Sequence, residues 1–113
     1  MHELSIAQSI VALAEDEARS RQAAAVEELE LEIGRLAGVE IPTLEFALES
    51  AVKGSLLEKA RIVRHYIDGE ARCAECDALF SLPTLLTPCP HCGSWYFRLL
   101  KGKELRVKSI VIK

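Results

Sequence analysis

Cys73-Ala74-Glu75-Cys76 and, twelve residues later, Cys89-Pro90-His91-Cys92-Gly93 together read C-x2-C-x12-C-x2-C. Two residues between paired cysteines let a tight turn aim both sulfurs at one point. Two such turns facing each other build a tetrahedral S4 site, a donor set that suits zinc. Gly93 stands where the second turn needs positive φ. The alternative is a pair of disulfides, which are rare in cytosolic proteins. With thiolate in all four positions there is no open place for substrate. Cys73, Cys76, Cys89 and Cys92 are therefore expected to hold structural Zn(II). His91, inside the second turn, reads as a solvent-facing residue rather than a ligand.

Outside this segment the chain changes character. From Leu4 to Ala18, apolar residues recur at Leu4, Ala7, Ile10, Val11, Ala14 and Ala18, which is helical spacing. Leu29-Glu30-Leu31-Glu32-Ile33-Gly34 alternates as a half-buried strand does. Gly38 breaks the chain. Pro42 suits the first turn of a second helix, whose apolar face is Leu44, Ala47, Leu48, Ala51 and Val52. Lys53-Gly54 reads as its end. Arg61 to Ile67 alternates again, and His65 on that strand reads as a structural histidine. The closing run, Glu104 to Lys113, changes phase: Leu105 and Val107 share one parity, Ile110 and Ile112 the other. That predicts a bulge or a strand covered on both faces.

The predicted fold class is α/β: a small three-stranded sheet with two helices on one face, plus an inserted zinc-ribbon (rubredoxin-like) module. Residues 1–69 with 103–113 form the α/β domain, and residues 70–102 form the inserted four-cysteine domain. Asp68-Gly69 and Lys101-Gly102-Lys103 mark the crossings.

Composition narrows the function. The 113 residues are half hydrophobic, enough for a core, and the net charge is −3. That balance predicts no general attraction to nucleic acid or to an acidic membrane. No apolar run approaches the roughly 18 residues that span a bilayer, and the start lacks a secretory pattern. These features predict a cytoplasmic protein. No phosphate-binding glycine loop and no local nucleophile signature appears, so the chain does not read as an enzyme.

Two other functions remain open at this point. A rubredoxin-like electron carrier would hold iron in the Cys-Pro-x-Cys-Gly site. A zinc-ribbon nucleic-acid binder would use Trp95, Tyr96 and Phe97 with Arg98, Lys101 and Lys103. Those aromatics read rather as the core of the small ribbon, with a solvated basic edge.

The first residues, Met1-His2-Glu3, add a different chemistry. A bulky second residue leaves the initiator methionine in place, so an amine and an imidazole stand one peptide bond apart. Taken alone, this is a polar residue on a frayed terminus. The start, "IGRLAGVE", "LEFALESAVKG", the "CAEC" and "CPHCG" pair and the closing "GKELRVKSIVI" nevertheless occur in one order along the whole chain. In this set the chain resembles the HypA/HybF family of hydrogenase maturation proteins.

The resemblance implies a nickel metallochaperone that delivers Ni(II) to the large subunit of [NiFe] hydrogenase. It further implies work with a nickel-handling GTPase of the same pathway and a structural zinc. It maps the nickel site onto Met1, His2 and Glu3. No nucleic acid and no membrane partner is expected, given the net charge and the lack of a long apolar run. The donors fit. The Met1 amine and His2 amide nitrogen close a five-membered ring on a metal, and the His2 amide and its own Nδ1 close a six-membered ring. The Glu3 amide nitrogen is a further in-plane donor, and planar nitrogen donors favour Ni(II) or Cu(II) over zinc. Glu40, in the loop after the first strand, is a candidate outside ligand.

Overall fold

The computed structural model of the chain describes residues 2–113. The elements run α1 (Glu3–Ser20), β1 (Val26–Gly34), α2 (Ile41–Ala51), β2 (Arg61–Ile67), β3 (Glu70–Cys73), β4 (Leu79–Ser81), β5 (Phe97–Lys101) and β6 (Leu105–Ile112). They make two three-stranded sheets, ordered β2-β1-β6 and β4-β3-β5. The chain divides into two compact units. One comprises residues up to Leu31, Val39–His65 and Arg106–Lys113; the other comprises Glu32–Gly38 and Tyr66–Leu105.

In the first unit, α1 buries Ala7, Val11, Ala14 and Ala18. These recur every three or four residues and are small, so the helix lies close to what it covers. Leu4, expected on this stripe, is 53% exposed. It lies in the first turn, where the stripe has not yet reached the core. α1 ends where Gln22 takes a positive φ of 57°, and the Ala23 amide returns to the Ala18 carbonyl at 2.9 Å.

α2 opens with proline in its first turn and buries Leu44, Ala47 and Leu48. It ends at Ala51, just before the predicted Lys53-Gly54 stop. The two helices pack together, and the apolar side of β1 (Leu29 and Leu31) is fully buried with Leu44, Leu48 and Leu57. Each such leucine contributes about 2 kcal/mol of transfer free energy. The Glu15 carboxylate ties α1 to the segment after α2 by accepting the Leu56 amide at 3.0 Å.

β1 and β6 run antiparallel. Ala24 donates to the Lys113 carbonyl at 3.1 Å, and Lys113 donates to Ala25 at 3.0 Å. β6 keeps both Leu105 and Val107 and Ile110 and Ile112 half-buried, so the phase change in its sequence marks partial cover on both faces. On the polar side of the sheet, Glu30 of β1 joins its neighbours: His65 Nε2 on β2 lies 2.8 Å from Glu30 Oε2, and Ser109 Oγ on β6 donates to Glu30 Oε1 at 3.0 Å. His65 is thus committed to a carboxylate within the sheet.

The second unit has its own core of Ala71, Cys73, Phe80, Leu82 and Cys89, with Leu36, Phe97 and Leu99 against it. β3 pairs antiparallel with both β4 and β5. Phe80 and Phe97 meet edge to face at 6.2 Å, the arrangement their quadrupoles prefer. The residues from Gly34 to Leu36 belong here because the Gly34 amide bonds to Glu104, Arg35 to Ile67 and Leu36 to Gly102. Gly69 lies against the Leu82 carbonyl and the Leu36 side chain, and a Cβ would collide with both.

The aromatic run departs from expectation. Trp95 is 60% and Tyr96 71% exposed, so only Phe97 serves the core. The strand β5 begins at Phe97, and its alternation turns one aromatic inward. Among the described residues, no helix is long and apolar enough to cross a membrane.

Candidate metal centres

The four cysteines converge. β3 delivers Cys73 at its last residue, and the chain turns at once through Cys76. Asp77, with φ of 62°, closes this knuckle, its amide bonding to the Cys73 carbonyl at 3.1 Å. The second knuckle repeats the form: the Gly93 amide bonds to the Cys89 carbonyl at 2.8 Å. Gly93 has φ of +77°, as its place in the sequence predicts.

All four Sγ atoms lie within 4.8 Å of one another. Cys73 and Cys92 sulfurs stand 3.5 Å apart, and those of Cys76 and Cys89 3.6 Å apart. A tetrahedron of sulfurs about 2.3 Å from zinc has edges near these lengths. The cysteines are free thiols. Cys73 and Cys89 are buried, while Cys76 and Cys92 face solvent.

The electrostatics also call for a cation. The amides of Cys76 and Glu75 both point at Cys73 Sγ, at 3.4 Å each. They draw the Cys73 thiol down to about 6. At Cys92 the Ser94 amide pulls downward, but neighbouring Cys73, burial and the other two thiols outweigh it and push the group up to about 12. At Cys76 the Ala78 amide is likewise outweighed, by burial together with Cys89 and Cys73, and the thiol is raised. Four thiols this close cannot all ionise alone. A divalent ion removes that conflict, and the donor set fits one that takes four sulfurs. His91 is exposed and stands outside the cluster.

The amino-terminal candidates lie at the start of α1. Met1 falls outside the described residues. His2 occupies the N-cap position of α1 in an extended conformation, exposed, and its ring makes no capping hydrogen bond. Its carbonyl accepts the Ile6 amide at 3.1 Å, so the backbone is anchored while the imidazole projects.

Glu3 Oε2 accepts the Glu40 amide at 3.1 Å. That amide is the main reason the Glu3 carboxyl sits below its ordinary range, with the Glu3 amide next. Glu40 is the N-cap of α2, and its Oε1 accepts from Thr43 Oγ1 at 3.2 Å. Sequence reasoning picked out Glu40 only as an outside ligand; the structure places its backbone against Glu3. The Glu30–His65–Ser109 link escaped the sequence reading, whose one signal was that Glu30 falls on the polar parity of β1.

The sequence model of the family described as "Hydrogenase/urease nickel incorporation, metallochaperone, hypA" matches residues 1–112. The chain belongs to the HypA family. A hydrogenase maturation factor HypA from Parabacteroides distasonis is 68% identical over 113 residues, covering 100% of this chain and 98% of that protein. The HypA of Geobacter sulfurreducens is 39% identical over the full length of both. The solution structure of the Ni metallochaperone HypA from Helicobacter pylori superposes with a TM-score of 0.66 at 27% identity, covering 99% of this chain and 97% of that one. A second HypA solution structure gives 0.69 at 26% identity, covering 100% and 97%. The HypA family is thus matched in sequence and in fold across the whole chain.

Proposed function

We propose that this chain is a nickel metallochaperone of hydrogenase maturation, binding Ni(II) at its N-terminus and helping to deliver it to the [NiFe] hydrogenase large subunit. The match of the HypA family to residues 1–112 carries this reading. In it the chain is not an enzyme; it acts in the cytoplasm beside a nickel-handling GTPase. The first compact unit handles nickel, and the second, which takes in residues 70–102 together with Glu32–Gly38, holds the zinc.

Nickel is cargo. The Met1 amine, the His2 amide and imidazole, and the Glu3 amide supply nitrogen donors, and nickel so anchored displaces amide protons near neutral pH. The exposed His2 side chain, which makes no capping hydrogen bond, supports this role. The Glu3 carboxylate, held by the Glu40 amide, steadies the first turn instead of filling the plane. A terminal site is fenced on few sides, which suits an ion to be handed on. Cys73, Cys76, Cys89 and Cys92 hold Zn(II), which supplies folding free energy to the small sulfur-centred unit.

A nickel titration on the untagged chain, and on the same chain with two residues added ahead of Met1, tests the reading. Tight binding lost on extension supports it; equal binding by both removes the amine from the ligand set. Colourless protein containing zinc excludes the iron-bearing electron carrier.

A further inference from the structure

The sulfurs of the second unit are paired in a particular way. Cys73 Sγ stands 3.5 Å from Cys92 Sγ, and Cys76 Sγ stands 3.6 Å from Cys89 Sγ. Both contacts cross from one knuckle to the other. Each joins a buried cysteine, Cys73 or Cys89, to an exposed one, Cys92 or Cys76. An oxidant arriving from solvent meets one sulfur of each pair, with a second sulfur waiting behind it. An accessible thiolate beside a resolving cysteine is the arrangement that oxidises reversibly. Metal ligation keeps such sulfurs as thiolates.

The geometry also selects the linkage. A disulfide bond is about 2.05 Å long, so closing either contact asks about 0.7–0.8 Å of each sulfur. Neither knuckle has to open: the Asp77 amide keeps its bond to the Cys73 carbonyl, and the Gly93 amide keeps its bond to that of Cys89. Bonds across the knuckles span 19 and 13 residues, whereas a bond from Cys73 to Cys76 spans 3. Longer loops constrain the unfolded chain more. Cys73 and Cys89 belong to the core of this unit, so cross-links at these residues hold that core together without metal.

We propose that the four-cysteine site is a peroxide-sensitive modification site, in which Cys73 joins Cys92 and Cys76 joins Cys89 as zinc is given up. It rests on the zinc reading of that site. The exposed Cys92 thiolate attacks one oxygen of hydrogen peroxide. The O–O bond breaks, hydroxide leaves, and Cys92 becomes a sulfenic acid. The Cys73 thiolate then attacks the Cys92 sulfur, the S–O bond breaks and a second hydroxide leaves. Two electrons pass from the two sulfurs to the peroxide, and both hydroxides take up protons to become water. A second peroxide oxidises Cys76 and Cys89 in the same way. Two remaining thiolates are too few to keep the ion, and a dithiol reductant reverses the bonds by exchange.

The test uses the full chain, purified reduced, with its zinc content measured first. One equivalent of hydrogen peroxide is added, and free thiols are blocked with N-ethylmaleimide. The oxidised cysteines are then reduced and labelled with iodoacetamide. Trypsin cuts after Arg72 and Arg98, which leaves all four cysteines on one peptide. Tandem mass spectrometry of that peptide reads which two carry the second label together. Cys73 with Cys92, or Cys76 with Cys89, is expected, alongside loss of zinc to a chromogenic chelator. Dithiothreitol and added zinc should restore the starting zinc content, and circular dichroism should show the strands kept throughout. Labels paired on Cys73 with Cys76, or on Cys89 with Cys92, would overturn the proposal. So would sulfinic acids in place of disulfides, or zinc retained after two equivalents. Reduced protein without zinc would remove the zinc reading instead, while the label pairs still decide the linkage.

Discussion

The Glu3 carboxylate accepts the backbone amide of Glu40 at 3.1 Å, across 37 residues of sequence. The bond ties the first turn of α1 to the N-cap of α2, so the residue after His2 has a fixed place. It also satisfies one amide at the end of α2 that has no partner within its helix.

Glu3→Ala removes that acceptor, and Glu3→Gln keeps an oxygen for it. The alanine variant should speed hydrogen exchange at the Glu40 amide, while the glutamine variant keeps most of the protection. Unchanged exchange in Glu3→Ala would mean the amide is held by something else.

His2→Ala removes the imidazole and with it the six-membered chelate ring. Nickel binding should be lost while zinc content and fold stay intact, because His2 is exposed. In the native chain nickel competes with protons for its nitrogen donors. Dialysis from about pH 7.5 to about pH 6 should therefore release nickel and leave zinc. Paired metal analysis decides it; nickel kept at the lower pH would move the site toward carboxylate or thiolate ligands.

Cys76→Ala should lower zinc content and loosen the second unit. Zinc binding is worth on the order of 10 kcal/mol in isolated zinc-finger peptides, more than a core of five buried residues supplies. The first unit buries its own leucines and should persist. Chelator-treated protein should keep slow exchange at Leu44 and Leu48; full unfolding there would contradict independent cores.

Leu48→Ala empties a fully buried site between the helices and the sheet. The cost should be about 2–5 kcal/mol, seen as a lower denaturant midpoint at an unchanged slope. Leu86→Ala, at a residue 82% exposed, should move the midpoint hardly at all.

The Glu30 carboxyl sits below its ordinary value of 4.5, first because of its hydrogen bond with His65 and then because of Ser109. A carboxyl depressed in the folded state adds stability above its unfolded value, and that stability fades as pH falls through the folded value. Melting temperature should drop as pH is lowered below about 4.5. Glu30→Gln should flatten that drop; an identical acid slope would assign it to other carboxylates.

Much of this protein is written in short stretches of sequence. The two C-x2-C turns, Gly93 after the second, Pro42 at the head of α2 and the Leu29-Leu31-Ile33 alternation each report local geometry. A turn, a cap or a period is decided by neighbours a few residues away, so these predictions hold in the structure.

Other features exist only once distant segments meet. Periodicity counted Leu4 as core, and the ribbon's need for a core counted Trp95 and Tyr96, yet all three are exposed. Whether an apolar residue is buried depends on what packs against it, and Phe80, Leu82 and Leu99 had already filled the small unit with Phe97. Glu30 meets His65 across 35 residues and Ser109 across 79. No local signal encodes such pairs, because strand order, not spacing, sets which side chains share a face.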